Sequence, residues 1–422
     1  MGGRVALAAL GVALATLAPA SARTYEVGPG QPYATVQDLI AHVAPGDGDV
    51  ILVHPGTYPP FRVTKGGGAC PETAPVIRAY DMADKPVFDA DGERYACLFY
   101  HGSGKWYALE GVEVRGAPDT GILNVQCGLV VRYSYIHDCG NGLGGGSSNT
   151  RDSTPGYLIA EHNEFARNGM GIYLHQIYNH QYWTIFRYNY IHDNSGGACY
   201  KDRSRYSLVA YNYIEQGPGA TYAIEFCGCA DDAAPDYTQT AVMIGNVVTK
   251  KQGANRWLFI ANIRKEGGAE GRLNIGRLYL VNNTFYSEEH IGPMLGDDEG
   301  SIIYADNNIF HSATCDRIVD QVDMAEGPGE CRPSYNNWVR TGMEAPKEFV
   351  NTVSGDDPGL VEAAWRGGDF HLRPGSACVD AGTDRGAPLP WLEYVHPHSY
   401  TYHLPDKTLD IGAFEHRPRR RE

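Results

Sequence analysis

Residues 189–214 read NYIHDNSGGACYKDRSRYSLVAYNYI. The stretch begins and ends on the same words, because Tyr188-Asn-Tyr-Ile191 returns as Tyr211-Asn-Tyr-Ile214, an interval of 212 − 189 = 23 residues. Working outward, the motif becomes Asn (once Ser), any residue, then Ile, Phe or Val. Its copies are Ser134-Tyr-Ile136, Asn163-Glu-Phe165, Asn189-Tyr-Ile191, Asn212-Tyr-Ile214, Asn246-Val-Val248, Asn283-Thr-Phe285 and Asn308-Ile-Phe310. Successive starts differ by 29, 26, 23, 34, 37 and 25 residues, so the shortest interval bounds the unit and the others carry inserted loops.

A unit this short, holding two or three strands, buries no face alone and must stack on its neighbours. Leucine-rich repeats share the length but need a leucine signature that is missing here. Coils of a parallel β-helix fit better: adjacent strands lie about 4.8 Å apart, and a repeated Asn can form a side-chain hydrogen-bond ladder inside the bend. In a propeller or sandwich, Asn would mark turns between apolar runs, whereas here it sits inside them. Composition agrees: 51 Gly, 11% aromatics and short Val/Ile/Tyr runs suit many short strands. The expected fold class is all-β, a single-stranded right-handed parallel β-helix (solenoid) with a short N-terminal capping helix.

Over nearly the whole length after the leader, the chain resembles the exported right-handed parallel β-helix proteins of the pectate-lyase-like superfamily. Tyr25-Glu-Val-Gly28, Tyr33-Ala-Thr-Val-Gln37 and Val50-Ile-Leu-Val-His-Pro-Gly-Thr-Tyr58 look like that group's capping helix and first coil. Phe370-His-Leu-Arg-Pro-Gly-Ser-Ala-Cys-Val-Asp-Ala-Gly382 and Asp410-Ile-Gly-Ala-Phe-Glu415 look like its closing segment. These motifs speak for fold and leave the reaction open.

Arg4, the apolar run Val5 to Leu17 and Ala20-Ser21-Ala22 form a leader with a small-residue cleavage site. Residues 1–22 are therefore read as a signal peptide, 23–415 as the β-helix domain and 416–422 as a charged tail, in a secreted protein, extracellular or periplasmic, without a membrane span and expected to be a monomer. Ten cysteines in an exported chain suggest disulfides, with Cys70–Cys97 and Cys315–Cys331 the expected pairs. Cys227-x-Cys229 beside Asp231 and Asp232 lacks the remaining ligands of a zinc site, and His396-Pro-His398 with His403 reads as loop; no metal ligands are assigned. A net charge of −15 argues against nucleic acid but leaves room for an anionic ligand held by a local cluster. Such a cluster is present in Lys201, Arg203, Arg205, Lys250, Lys251 and Arg256.

Counting eight residues on from Asn163 and Asn189 aligns Gly171-Ile-Tyr-Leu-His175 with Gly197-Ala-Cys-Tyr-Lys201, and Ala220-Thr-Tyr-Ala-Ile-Glu225 follows with one extra residue. Alternation then sends Ile172, Leu174, Ala198, Tyr200, Tyr222 and Ile224 inward. His175, Lys201 and Glu225 form an outward row, with Arg203 at its strand end and Arg205, Tyr173, Tyr206 and His180 nearby. Cations and aromatics on one face suit a sugar acid, giving charge for its carboxylate and stacking for its rings. The bland reading is a solvated face on which the cations pair with Asp193, Asp202 and Glu215.

β-Elimination at a uronic acid needs a base for the proton beside the carboxylate and positive charge for the dianion that forms. Lys201 is the candidate base, Arg203 or Arg205 the clamp, and His175 or Tyr206 the donor to the leaving oxygen; Arg205, Tyr173, Tyr206, His180 and Glu225 would bind substrate. The segment from Lys201 to Asn212-Tyr-Ile214 is similar to the lysine-bearing coil of the chondroitinase-B and alginate-lyase family, a resemblance that implies a Lys base, an anionic polysaccharide substrate and calcium as a possible cofactor. That family's next coil carries a Leu-Arg-His-Gly motif; here it reads Tyr222-Ala-Ile-Glu-Phe226, so the correspondence stops at Lys201. Two alternatives remain: a glycoside hydrolase or epimerase using Asp202, Glu225, Asp231 or Asp232, and a non-catalytic glycan-binding surface protein. Asn141 to Pro155 and Ala230 to Thr240 are expected to be specificity loops.

Overall fold

The structure is a computed structural model that describes residues 22–416 apart from 103, 126, 147–155, 218, 228–238, 252–258, 263–275, 289–294, 298–300, 322–329, 386–389 and 403–407. Each coil visits three parallel sheets in turn. Among the described residues, sheet I has twelve strands, from Thr24–Val27 to Glu330–Cys331; sheet II has twelve, from Thr57–Tyr58 to Val353–Gly355; sheet III has ten, from Phe61–Val63 to Val319–Gln321. One coil reads Trp183–Arg187 in sheet I, Tyr190–His192 in sheet II and Ala198–Asp202 in sheet III, and the chain then returns to sheet I at Tyr206–Ala210. This is the parallel β-helix that the repeat predicts.

The Asn tripeptide marks the bend from sheet I to sheet II. Asn163, Asn189, Asn212, Asn246, Asn283, Asn308 and Asn337 are all buried without solvent contact. Each accepts on Oδ1 from the backbone N–H of the ladder residue one coil earlier: Ser134 N to Asn163 is 3.0 Å, Asn163 N to Asn189 3.0 Å, Asn189 N to Asn212 2.9 Å and Asn308 N to Asn337 2.9 Å. The residue before the Asn is left-handed, as at Tyr188 (φ 58°), Tyr211 (φ 55°) and Gly245 (φ 65°), which turns the chain through the corner and aims the Asn side chain along the stack. Asn337 adds a final rung beyond the tripeptides recognised in the sequence.

The helix occupies Val36–His42, starting within the Tyr33–Gln37 segment and running past it, and begins where the Thr35 side chain accepts from Asp38 N at 3.0 Å. Val36, Leu39 and Ile40 are buried at the mouth of the solenoid, and Gln37 holds Arg62 N at 2.8 Å. At the other end of the chain, Phe370, Ile411 and Phe414 are buried with Tyr213, Tyr286 and Trp338, so the closing segment packs along the outer face of sheet II.

Two expectations are corrected. No cysteines stand at disulfide distance among the described residues. Cys97 points into the core of sheet III, whereas Cys70 lies in a loop 3.4 Å from Thr73 Oγ1, so no bridge joins them; Cys315 donates to Arg317 O and is not bonded to Cys331. The glycine-rich run is also not loop throughout, since Asn141–Gly146 is a strand of sheet III. Gly145 faces inward there, and a Cβ on it would meet Gln181 Nε2 at 2.3 Å; the missing side chain leaves room for that amide.

Candidate active site

Tyr200 and Asp202 point into the coil and are fully buried, so Lys201 between them points outward. Its register partner one coil on is Glu225, and Lys201 Nζ stands 2.9 Å from Glu225 Oε1, with the two side chains only 13% and 11% exposed. Removing this pair from water costs free energy that its attraction must offset. The partner on the preceding coil is Tyr178, whose ring lies 5.6 Å below Lys201 Nζ and 6.0 Å from Arg203 Cζ. The outward row across three coils is therefore Tyr178, Lys201, Glu225.

His175 does not belong to this row. It precedes the strand Ile177–His180, is buried, and accepts from Ala198 N at 2.8 Å through Nδ1. Burial, with Lys201 and Arg203 nearby, lowers its pKa to about 3, so the ring is neutral and carries its proton on Nε2. Gly197 (φ 56°) passes beneath it, where a Cβ would fall 2.6 Å from Nδ1. Ile172, expected inside, is exposed, and Tyr173 is 81% exposed on the loop through Gly169 and Gly171. The cause is a three-residue extension of this coil ahead of its sheet III strand. Counting back from the following bend would have found the register, because 189 − 178 and 212 − 201 both equal 11.

Arg203 is buried at the strand end, and its N–H donates to Asn179 O at 2.9 Å; His180, the residue after Asn179, lies beside it on the preceding coil. Arg205 Cζ sits 5.7 Å from the Tyr182 ring and 5.6 Å from the Tyr206 ring, and Tyr206 is 43% exposed. Lys250 is buried within the fold, where desolvation lowers its pKa to about 8, and Lys251 covers the Trp365 ring at 5.2 Å, away from sheet III; Arg256 lies outside the described residues.

The carboxylates named as partners for these cations are engaged elsewhere. Asp202 accepts from Tyr200 Oη at 2.7 Å, Ser207 Oγ at 2.6 Å and Ser204 N at 2.7 Å inside the coil, and burial raises its pKa. Asp193 holds His192 and Arg366, and Glu215 holds Tyr190 Oη and Gly367 N, all on the sheet II side. Asp202 is thus removed from any outward pair of acids with Glu225; Asp231 and Asp232 lie outside the described residues. Among the described residues no three His, Cys, Asp or Glu side chains group as a metal site, and Glu225 is already paired with Lys201, so the described residues do not make the oxygen cage that calcium takes.

The solved structures similar to this chain include pectate lyase Pel9A, at 17% identity and TM-score 0.55, covering 94% of this chain and 97% of that one. XylC in complex with xylose matches at 11% identity and TM-score 0.51, covering 80% and 87%. No protein-family model and no curated protein sequence matches the chain. The chain is a parallel β-helix protein of the pectate-lyase-like fold.

Proposed function

We propose that the protein is an exported carbohydrate-active enzyme, a polysaccharide lyase that cleaves a uronic-acid-containing polysaccharide by β-elimination with Lys201 as base. The observation that carries this reading is the outward row in which Lys201 faces Glu225 at 2.9 Å, with an aromatic ring on its other side and Arg203 at the strand end. Export rests on the leader at residues 1–22, which falls outside the described residues except for Ala22. No described helix is long and apolar enough to cross a membrane.

A lysine acts as a base only as the free amine. When a sugar chain covers the row and excludes the remaining water, a buried ion pair loses favour against its neutral form, and the proton on Nζ passes to Glu225. The amine then takes the proton from the carbon beside the uronate carboxylate. That C–H electron pair forms the new double bond, first delocalised as a carboxylate dianion that Arg203 stabilises. The bond to the leaving oxygen breaks, and Tyr206 returns a proton to it. His175, neutral and committed to Ala198, positions the start of the lysine strand. Arg205, Tyr173, His180 and Tyr178 bind the chain around the reacting sugar.

Lys201→Arg tests the base. The guanidinium keeps the positive charge but does not deprotonate at working pH. Incubation with alginate, pectate and chondroitin should give ultraviolet-absorbing unsaturated products with the wild type and none with Lys201→Arg or Lys201→Ala, while Lys201→Arg still binds polymer. Turnover by Lys201→Arg would remove the assignment, and reducing ends without absorbance would indicate a hydrolase.

A further inference from the structure

The first outward position of sheet I carries a row of rings. Trp106, Gly128, Tyr157, Trp183 and Tyr206 are register partners on successive coils, ending on the sheet I strand that directly follows Lys201. The Trp106 and Tyr157 rings are parallel to 12° at 5.6 Å, and Tyr157 meets Trp183 at 5.2 Å. Tyr182, at the preceding corner, meets Tyr157 at 6.1 Å and Tyr206 at 5.7 Å. The row is continuous because Gly128 has no side chain: a Cβ there would fall 2.2 Å from Trp106 Cδ2.

Packing explains one end of the row. Trp106, 6% exposed, covers Ala108 and Val130. Tyr157 and Trp183 pack against the same cluster, whereas Tyr206, on the strand that follows Lys201, is 43% exposed, and packing gives no account of its ring. There Arg205 lies beside both Tyr182 and Tyr206, and its Nε–H is buried without a hydrogen-bond acceptor among the described residues. A buried donor without an acceptor is costly unless a ligand supplies one.

We infer that Tyr206, Tyr182 and Trp183, braced by Tyr157 and Trp106, form a stacking platform for consecutive sugar rings of an anionic polysaccharide, with Arg205 donating to an acidic or hydroxyl oxygen of the sugar. The chain then extends from Lys201 toward the N-terminal coils. The platform rests on the lyase reading for its substrate class and adds the direction of the chain. Rings already packed edge-to-face or tilted against one another are ordered before binding, so little side-chain freedom is lost when a sugar seats.

The test is calorimetric titration with uronic-acid oligosaccharides and with neutral ones of equal length, alongside melting curves. Tyr206→Ala and Trp183→Ala should each weaken acidic-oligosaccharide binding about two- to tenfold, with an unchanged melting temperature for Tyr206→Ala. Arg205→Gln should reduce the preference for acidic over neutral chains. Tyr206→Ala decides alone should Trp183→Ala fail to fold. Wild-type affinity in Tyr206→Ala, or an unchanged preference in Arg205→Gln, overturns the platform even if the enzyme is a lyase. Ring-dependent binding without any elimination product overturns the lyase reading and keeps the platform.

Discussion

At the scale of single residues, strand alternation separates neighbours in sequence into different chemical worlds. Lys201 faces outward to Glu225, while Asp202, the next residue, lies inside the coil with three donors on its carboxyl group. Those bonds fix the corner from which Arg203 and Arg205 emerge. Replacing Asp202 with Ala leaves Tyr200 Oη, Ser207 Oγ and Ser204 N without their acceptor, and each buried group left unpaired costs about 1–3 kcal/mol. Asp202→Ala should therefore lower the urea midpoint markedly; a midpoint equal to wild type would contradict the buried network. Charge alone suggests Asp202 as a partner for its cationic neighbours, whereas the alternation that turns Lys201 outward turns Asp202 inward.

At the scale of elements, the Asn ladder closes the sheet I to sheet II bend. Asn212 accepts from Asn189 N and Nδ2, and donates to Phe186 O at 3.0 Å and Asn246 Oδ1 at 2.9 Å. Asn212→Ala strands the Asn189 N–H in the interior, so a loss of about 1–3 kcal/mol is expected in urea unfolding, larger than for an exposed Asn→Ala change. This part of the fold was legible because the ladder uses one residue type at one place in every coil. The sheet III register was less legible. Loops of differing length separate each sheet II strand from the next sheet III strand, so a forward count from Asn163 placed His175 where Tyr178 stands.

At the scale of the whole molecule, burial of imidazoles makes the solenoid sensitive to acid. His175 is held neutral down to about pH 3 and His101 to about 4, against 6.5 for an unburied ring, and burial also lowers His162 and His311. Below about pH 6.5 the unfolded chain binds protons that these folded rings refuse, so their contribution to stability falls as pH drops through that range. His192 acts in the opposite sense: burial lowers its pKa, but Glu164 and Asp193 outweigh that and raise it, so its contribution is present at low pH and is lost as pH rises. Asp202, Glu215, Asp306 and Asp410, whose carboxyl pKa values burial raises, act in the same sense as His192, so the expectation is a difference: from about pH 6.5 toward 4 the urea midpoint of the wild type should fall relative to that of His175→Gln, and parallel profiles would refute the assignment.

The sequence by itself determined the solenoid, because stacking identical bends is the way so short a unit buries its apolar residues, and the bend announces itself in the text. It also determined that Lys201 and Glu225 meet, since only a single extra residue intervenes between their strands. Only the tertiary structure decided that Tyr178 replaces His175 beside the lysine and that rings 51 residues apart (157 − 106) pave one surface. Those contacts depend on how much chain each loop takes up before its strand rejoins the stack, a length that local residue preference does not encode.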